Sequence, residues 1–423
     1  MRLVAAIVAA VLSAGSIAAT TLIGFPEAAA NYRAYPSSEQ ITPPSAPPAG
    51  YEAFHIEHYG RHGARWLIGD RYNYPVEVLE MAERNGALTP RGAEVLAELR
   101  PLRDAARGRD GELTAIGAEQ HRGIARRMAW NFPTVFAPGT RLDARSTVVI
   151  RCILSMLNEV QELTAIYNDL NVTTDASEAD MYYMNTPAHN PAWDRVQAVK
   201  DTLDAFRARY PVRADFAAKL ISNPALIADS VDIPRLNNDI FDIAANSTSH
   251  GQQSDLVNIF SPDEIHENWL RYNAFWFWRY GNWDATGGIA ANNQIELLRN
   301  VVLSADTALM SPSNSVNMRF GHEVNLIALV VMLEMDDYNR RYATFDEAMD
   351  PGPDGWHNYD VFPMAANIQL IFYRPRHGEY TADDILVKAM LNEREVSLPA
   401  TPVEGSYYRW SDLRPLYLSK SCE

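Results

Sequence analysis

Cysteine is nearly missing from this chain, with Cys152 and Cys422 the only two in 423 residues. That scarcity argues against a disulfide-stapled scaffold and against a thiolate metal site, which needs closely paired cysteines. Positive charge is also short. With 37 Lys and Arg against 53 Asp and Glu, the net charge is -16 and the pI near 5.1, which argues against nucleic acid and anionic membranes as main partners. An anionic ligand must instead be captured by a local group of cations. Long apolar runs are the third absence. Leu3 to Leu12 is apolar but too short to cross a bilayer. Behind Met1-Arg2, and followed by small residues through Ala18-Ala19, it reads as a secretory signal over residues 1–30, cleaved between Ala18 and Ala30. No integral membrane segment remains after cleavage, so the protein is expected to be exported, periplasmic or secreted. Residues 31–50, with Pro36, Pro43, Pro44, Pro47 and Pro48, read as an extended leader. The remaining length suits one large domain or two unequal ones, and a sequence 47% hydrophobic overall can bury a substantial core.

Against this acidic background, Arg61-His62-Gly63-Ala64-Arg65 sets a nucleophile between two fixed cations. Phe54 and Ile56 are expected on one face of a short strand leading into it. Gly60 and Gly63 are expected to turn the backbone sharply, so that the imidazole and both guanidinium groups converge on one small anion. The planar Arg fork binds phosphate oxygens bidentately and stays charged. A neutral imidazole can attack phosphorus to form a phosphohistidine.

An isolated Arg-His-Gly is better read as a basic surface turn with His62 solvated, and a second cluster changes the balance. Ser315 to Phe320 alternates Val316, Met318 and Phe320 as a strand does. Gly321-His322-Glu323 then opens an apolar run, Val324 to Leu333, with helical recurrence. Strand, glycine turn and helix start is the layout in which α/β sheets hold ligands at the carboxyl ends of their strands. His322 and Glu323 are therefore expected to face the crevice of His62, with helix amides adding anion affinity.

Together these pieces resemble a histidine acid phosphatase, the second branch of the histidine phosphatase superfamily, which pairs Arg-His-Gly-x-Arg near the start with a late His-Asp. Arg145 to Arg151 is similar to the family segment whose last Arg completes the phosphate pocket. Leu113-Thr114-Ala115-Ile116-Gly117 resembles the Leu-Thr-x-x-Gly helix between them, and the likeness spans Tyr51 to about Leu333. It departs at Leu67, where the family commonly has Pro, and at Glu323, where most members have Asp. Multiple inositol polyphosphate phosphatases, a subgroup, also use Glu, usually within His-Ala-Glu, so the similarity to them is partial.

The expected fold is a three-layer α/β core with a mostly parallel sheet, formed by residues 51–158 and 301–423, with a helical cap over 159–300. The resemblance implies an exported phosphomonoester hydrolase, with inositol and sugar phosphates among its candidate substrates, acting without metal or cofactor. His62 would be the nucleophile, Arg61, Arg65 and Arg151 the phosphate-binding groups, His322 a further donor, and Glu323 the proton donor and later the water activator. The alternative is a phosphate-ester binding protein that kept the anion pocket and lost turnover. A phosphomutase-like relative is the other enzyme reading, but that branch places its acid elsewhere.

Several other features read as structural. His55 and His58 point to opposite faces of a strand, so they do not converge with His62 and Glu57 on a metal. The aromatic run Phe275 to Tyr280 with Trp283 suits the core of the cap, and Arg122, Arg126 and Arg127 suit a solvated helical stripe. Thr89-Pro90 and Thr114 mark helix starts, Cys152 a buried unpaired thiol, and Ile368 to Phe372 a late strand. Asn171-Val172-Thr173 and Asn246-Ser247-Thr248 are glycosylation sequons only in a eukaryotic host.

Overall fold

A computed structural model describes residues 22–185, 191–223, 225–226, 230–251, 254–311 and 313–420. The apolar start of the expected signal and Cys422 lie outside these residues, and Cys152 is a buried free thiol. In chain order the main elements are β1 (Tyr51–Arg61), α1 (Asn73–Arg84), α2 (Pro90–Ala106), α3 (Ala115–Asn131), β2 (Arg141–Ser146), α4 (Ile150–Ile166) and β3 (Asn171–Asp175). Then follow α5 (Ile233–Ala245), α6 (Pro262–Tyr280), α7 (Ile295–Leu309), β4 (Ser315–Gly321), α8 (Glu323–Met332), β5 (Asn367–Pro375), β6 (Leu386–Leu391), β7 (Arg394–Val396), β8 (Tyr408–Arg409) and α9 (Trp410–Lys420). Thr89 and Thr114 cap α2 and α3 as their sequence positions require, each hydroxyl accepting from a glycine amide three residues on, at 2.9 and 3.1 Å.

One sheet runs in the order β3-β2-β4-β1-β5-β6-β7, with β8 added to β6. Its core, β3-β2-β4-β1, is parallel, and this is the half that ends in the candidate site. β5 to β8 pair antiparallel and extend it. Asn392 and Glu393, both at positive φ (52° and 63°), form the tight turn between β6 and β7. α3 and α4 cover one face through Met128, Phe132, Met156 and Leu163 against Ile56, Val316, Met318 and Phe320. α7, α8 and α9 share the other core with Phe54, Tyr59, Leu370 and Phe372, giving the three-layer arrangement.

Four details differ from the sequence reading. Phe54 and Ile56 fall in different cores because a bulge between Ala53 and His55 in the β1/β5 ladder inserts one residue and flips the alternation. β1 is long, and Gly60 lies inside it rather than in a turn; a Cβ there would meet the His58 ring at 2.9 Å. β3 falls within residues 159–300, and α4 runs through residue 159, so the helical segment begins after Asp175. β3 is an exposed edge strand without the buried apolar run that marks a central one.

The fourth concerns the residues before β1. Residues 22–35 are packed into the molecule: Ala28, Ala29 and Ala30 are buried, and Phe25 meets Phe241 of α5 at 5.4 Å. The Ile23 amide donates to His266 of α6 at 3.1 Å, and Tyr35 donates to Glu393 at 2.9 Å. The proline-rich stretch is extended, yet Lys388 ties it down by donating to the Ser45 carbonyl at 2.8 Å. Short apolar Ala runs look alike in a signal and in a packed strap, so composition alone does not separate them.

Candidate active site

Parallel pairing sets Arg61 at the end of β1 beside Gly321 at the end of β4, and the His62 amide continues the ladder by donating to the Gly321 carbonyl at 3.0 Å. The two motifs, 260 residues apart, therefore meet by register. A Cβ on Gly63 would stand 2.4 Å from the Gly117 carbonyl, and one on Gly117 would stand 2.3 Å from that of Ala64. The glycines thus serve close approach of loop and helix α3, not a sharp turn. Thr114 donates its hydroxyl to the Ala64 carbonyl at 3.1 Å, Gln120 accepts from the Ala64 amide at 2.9 Å, and Ser155 accepts from that of Gly63 at 3.1 Å. Gly321 has a similar reason: the Tyr59 hydroxyl would lie 2.3 Å from its Cβ. That hydroxyl accepts from the His322 amide at 3.1 Å.

The imidazole of His62 is buried, with Nδ1 2.9 Å from the Gly63 carbonyl. A carbonyl only accepts, so Nδ1 carries the proton and Nε2 keeps its lone pair. Burial, then Arg61, Arg151 and Arg65, hold the ring well below the usual histidine range, so it is neutral. His322 lies against it, ring centroids 5.7 Å apart, and is pushed down to about 4, by burial first and then by the same arginines. Nε2 of His62 is 3.7 Å from Oε2 of Glu323, whose side chain is 14% exposed. Burial alone would raise the Glu323 pKa, but Arg61 and Arg65 outweigh it and hold the carboxyl down at about 2.

Arg61 is fully buried; Nε donates to Glu323 at 3.1 Å, and Nη1 to the carbonyls of Asn31 and Phe362 at 2.7 and 2.8 Å. Its Nη2 has no acceptor, nor do Nε of Arg65 and Nε of Arg151. Three guanidinium groups thus each keep a buried N–H without a partner around a neutral imidazole. Such N–H groups cost free energy unless an anion takes them. Sequence reasoning brought together all six residues, Arg61, His62, Arg65, Arg151, His322 and Glu323, and the structure does the same.

His55 and His58 indeed diverge: His55 bonds Glu57 at 3.0 Å on one face, and His58 faces Phe320 and Glu159 on the other. A different group has metal-ligand spacing. His62, His322 and Glu323 offer atoms all within 4.8 Å of one another, although Arg61 and Arg65 beside them oppose a cation. Arg122 and Arg126 pair with Glu119 and Glu162 and Arg127 with Glu393, away from the site. Trp276, Phe277, Trp278, Tyr280 and Trp283 are buried, in the same core cluster as Phe54 and Phe372 of the sheet.

Sequence reasoning missed several contributors. Asn31 supplies a backbone carbonyl, which has no sequence signature. Asn246, read as a sequon, is buried, and its amide donates to the Arg65 carbonyl at 3.0 Å. Trp66, next to Arg65, packs against His250 with the rings tilted and their centroids 4.0 Å apart, and carries the Arg109 guanidinium at 5.7 Å. On α5, Asp242 accepts from Arg71 and Tyr272.

A mixed sheet whose parallel strands end at an arginine-rich crevice, with helices on both faces, defines the chain as an α/β protein. Among solved structures the chain is similar to the multiple inositol polyphosphate phosphatase of Bifidobacterium longum in complex with inositol hexasulfate, with a TM-score of 0.75, 16% identity, and 92% and 97% of the two chains covered. The phytase of D. castellii follows at 0.68 and 13%, covering 93% of this chain and 85% of that one. The Hafnia alvei phytase apo form follows at 0.55 and 12%, covering 89% and 100%. The chain has the fold of these phosphatases. No protein-family model and no curated protein matches it.

Proposed function

We propose that the protein is an exported phosphate monoester hydrolase that works through a phosphohistidine. The observation that carries this is the neutral, Nδ1-protonated His62 with its free Nε2 among three unpartnered arginine N–H groups. Nε2 attacks phosphorus as the ester P–O bond breaks, and Arg61, Arg65 and Arg151 neutralise the charge gathering on the phosphoryl oxygens. Neutral His322 donates one further hydrogen bond. Glu323 protonates the departing alkoxide and then takes the proton of the water that cleaves the N–P bond. The named ligand and activities of the similar structures support inositol phosphates as the first esters to try, with sugar phosphates next because they present the same phosphoryl group. The apolar run Leu3 to Leu12 and the small residues through Ala19 support export, with cleavage ahead of the packed residues 22–35; among the described residues no helix is long and apolar enough to cross a membrane.

One observation favours a binding protein without turnover: a Glu323 held at about 2 has no proton to give in the free protein. A bound phosphoryl dianion counters this by offsetting the same arginines, which returns the carboxyl toward its ordinary range. Rapid quenching with a labelled ester is expected to trap acid-labile, base-stable phosphate on the wild-type chain and none on His62→Ala. Turnover by His62→Ala at the wild-type rate would end the covalent reading, and absence of phosphate release from every ester would favour the binder.

A further inference from the structure

Five of the fourteen large apolar side chains that stand exposed among the described residues lie around the N-termini of α3 and α4. They are Ile68, Ile116, Val148, Ile150 and Leu154, with Ile150 70% and Ile68 44% exposed. Scattered exposed apolar residues need no explanation, but a cluster beside a binding site does. Ile150 and Leu154 are four residues apart on one face of α4, and Arg151 lies in the same turn as Ile150. Ile68 reaches Arg151 from the other side: a Cβ on Gly111 would meet Ile68 at 3.0 Å and an Arg151 Nη at 3.2 Å. α3 and α4 run side by side, with Arg122 paired to Asn158 and Arg126 to Glu162, so both N-termini arrive at the same end. The apolar cluster is therefore continuous with the arginine pocket.

The α5 side of Arg65, near Tyr32, differs. There Arg71 is held by Asp239 and Asp242, and Asp242 also takes the Tyr272 hydroxyl. With its charge already offset, Arg71 makes a poor receptor for a second phosphate.

We propose that the Ile68–Ile150–Leu154 side takes the hydrocarbon part of the substrate alcohol, so that alkyl monophosphates are substrates of this pocket. This rests on the phosphatase reading above. The phosphate would occupy Arg61, Arg65 and Arg151, and the chain would leave Arg151 along the apolar face of α4. Each methylene that is fully covered should improve kcat/KM by about fourfold, and a half-covered one by about twofold.

The test uses the full chain and a series of methyl, butyl, hexyl and octyl phosphate below their micelle concentrations. The readout is the octyl-to-methyl ratio of kcat/KM within each protein, together with displacement of each ester by inorganic phosphate in His62→Ala. In the wild type the ratio is expected to exceed about tenfold, and in the double variant Ile150→Ser, Leu154→Ser to fall to within about threefold of one. Both side chains are exposed, so the fold should tolerate the change. A flat series in the wild type, or a slope that survives in the double variant, overturns the proposal, as does a preference for bisphosphates over alkyl chains. If no ester is turned over, the phosphatase reading is what fails, and the affinity series still decides the apolar site.

Discussion

Replacing Glu323 by Gln should tighten phosphate binding while it slows turnover. Gln keeps the shape and still accepts from Nε of Arg61, which now reaches Oε2 at 3.1 Å. What it removes is a negative charge 3.7 Å from His62 Nε2, beside the place where the phosphoryl group must sit. Two unit charges about 4 Å apart at an effective dielectric of 20 repel by roughly 4 kcal/mol. Arg61 and Arg65 offset much of that, but even about 1.4 kcal/mol of residual repulsion is tenfold in Kd. Inorganic phosphate should therefore bind Glu323→Gln about tenfold more tightly, measured by titration calorimetry. Turnover moves the other way. Loss of the general acid is worth about two to four orders of magnitude on an alkyl phosphate, and less on a nitrophenyl ester whose leaving group needs little protonation. Burst kinetics show whether phosphoenzyme breakdown limits instead, in which case both esters slow alike. Weaker phosphate binding with equal losses on both esters and no burst would mean that Glu323 only props Arg61 and that another residue supplies the proton.

On a nitrophenyl ester, whose leaving group needs little help from Glu323, kcat/KM corrected for ionisation of the ester should stay flat from pH 7 to 5. An ordinary histidine near 6.5 would be mostly protonated at pH 5 and cost about 30-fold, whereas burial and Arg61 keep His62 in the attacking neutral form; a fall of that size would refute the neutral-imidazole assignment. Dialysis against a strong chelator should leave the rate unchanged, because three arginines already neutralise the oxygens; loss restored by one divalent ion would instead assign His62, His322 and Glu323 to a metal. Asn246→Ala strips the Arg65 carbonyl of its donor and should destabilise the fold by about 1–3 kcal/mol in denaturant titration. It should also raise KM more than it lowers kcat, and an unchanged KM would confine Asn246 to a packing role.

The side chains of the candidate site were legible because their chemistry is carried by residue type and order. Arg61 to Arg65, Arg151 and His322-Glu323 needed only the strand-turn-helix pattern to be brought to one edge. Strand direction was less legible. Ile368 to Phe372 alternates the same way whether it runs parallel or antiparallel to β1, and it runs antiparallel. One inserted residue in β1 leaves no mark in composition, yet it sends Phe54 and Ile56 to opposite cores. The contacts that fix Arg61 were out of reach altogether, because carbonyls of Asn31 and Phe362 look like any other peptide bond. Asn246 announced itself only as a sequon, and its burial gives it a different task.

Arg61 has a consequence for the order in which the molecule comes into being. Its three anchors lie 30, 262 and 301 residues away along the chain. As a chain emerges from the ribosome, Asn31 and Arg61 appear early, but no acceptor from Phe362 exists until most of the chain has been made. β1 likewise waits for β4 and β5 on its two sides. Such distant pairings must meet loop-closure entropy before any contact repays it, so they form late and slowly. The nascent chain therefore carries a complete Arg-His-Gly-Ala-Arg sequence with no pocket around it, and any activity of this site begins only after synthesis is nearly finished.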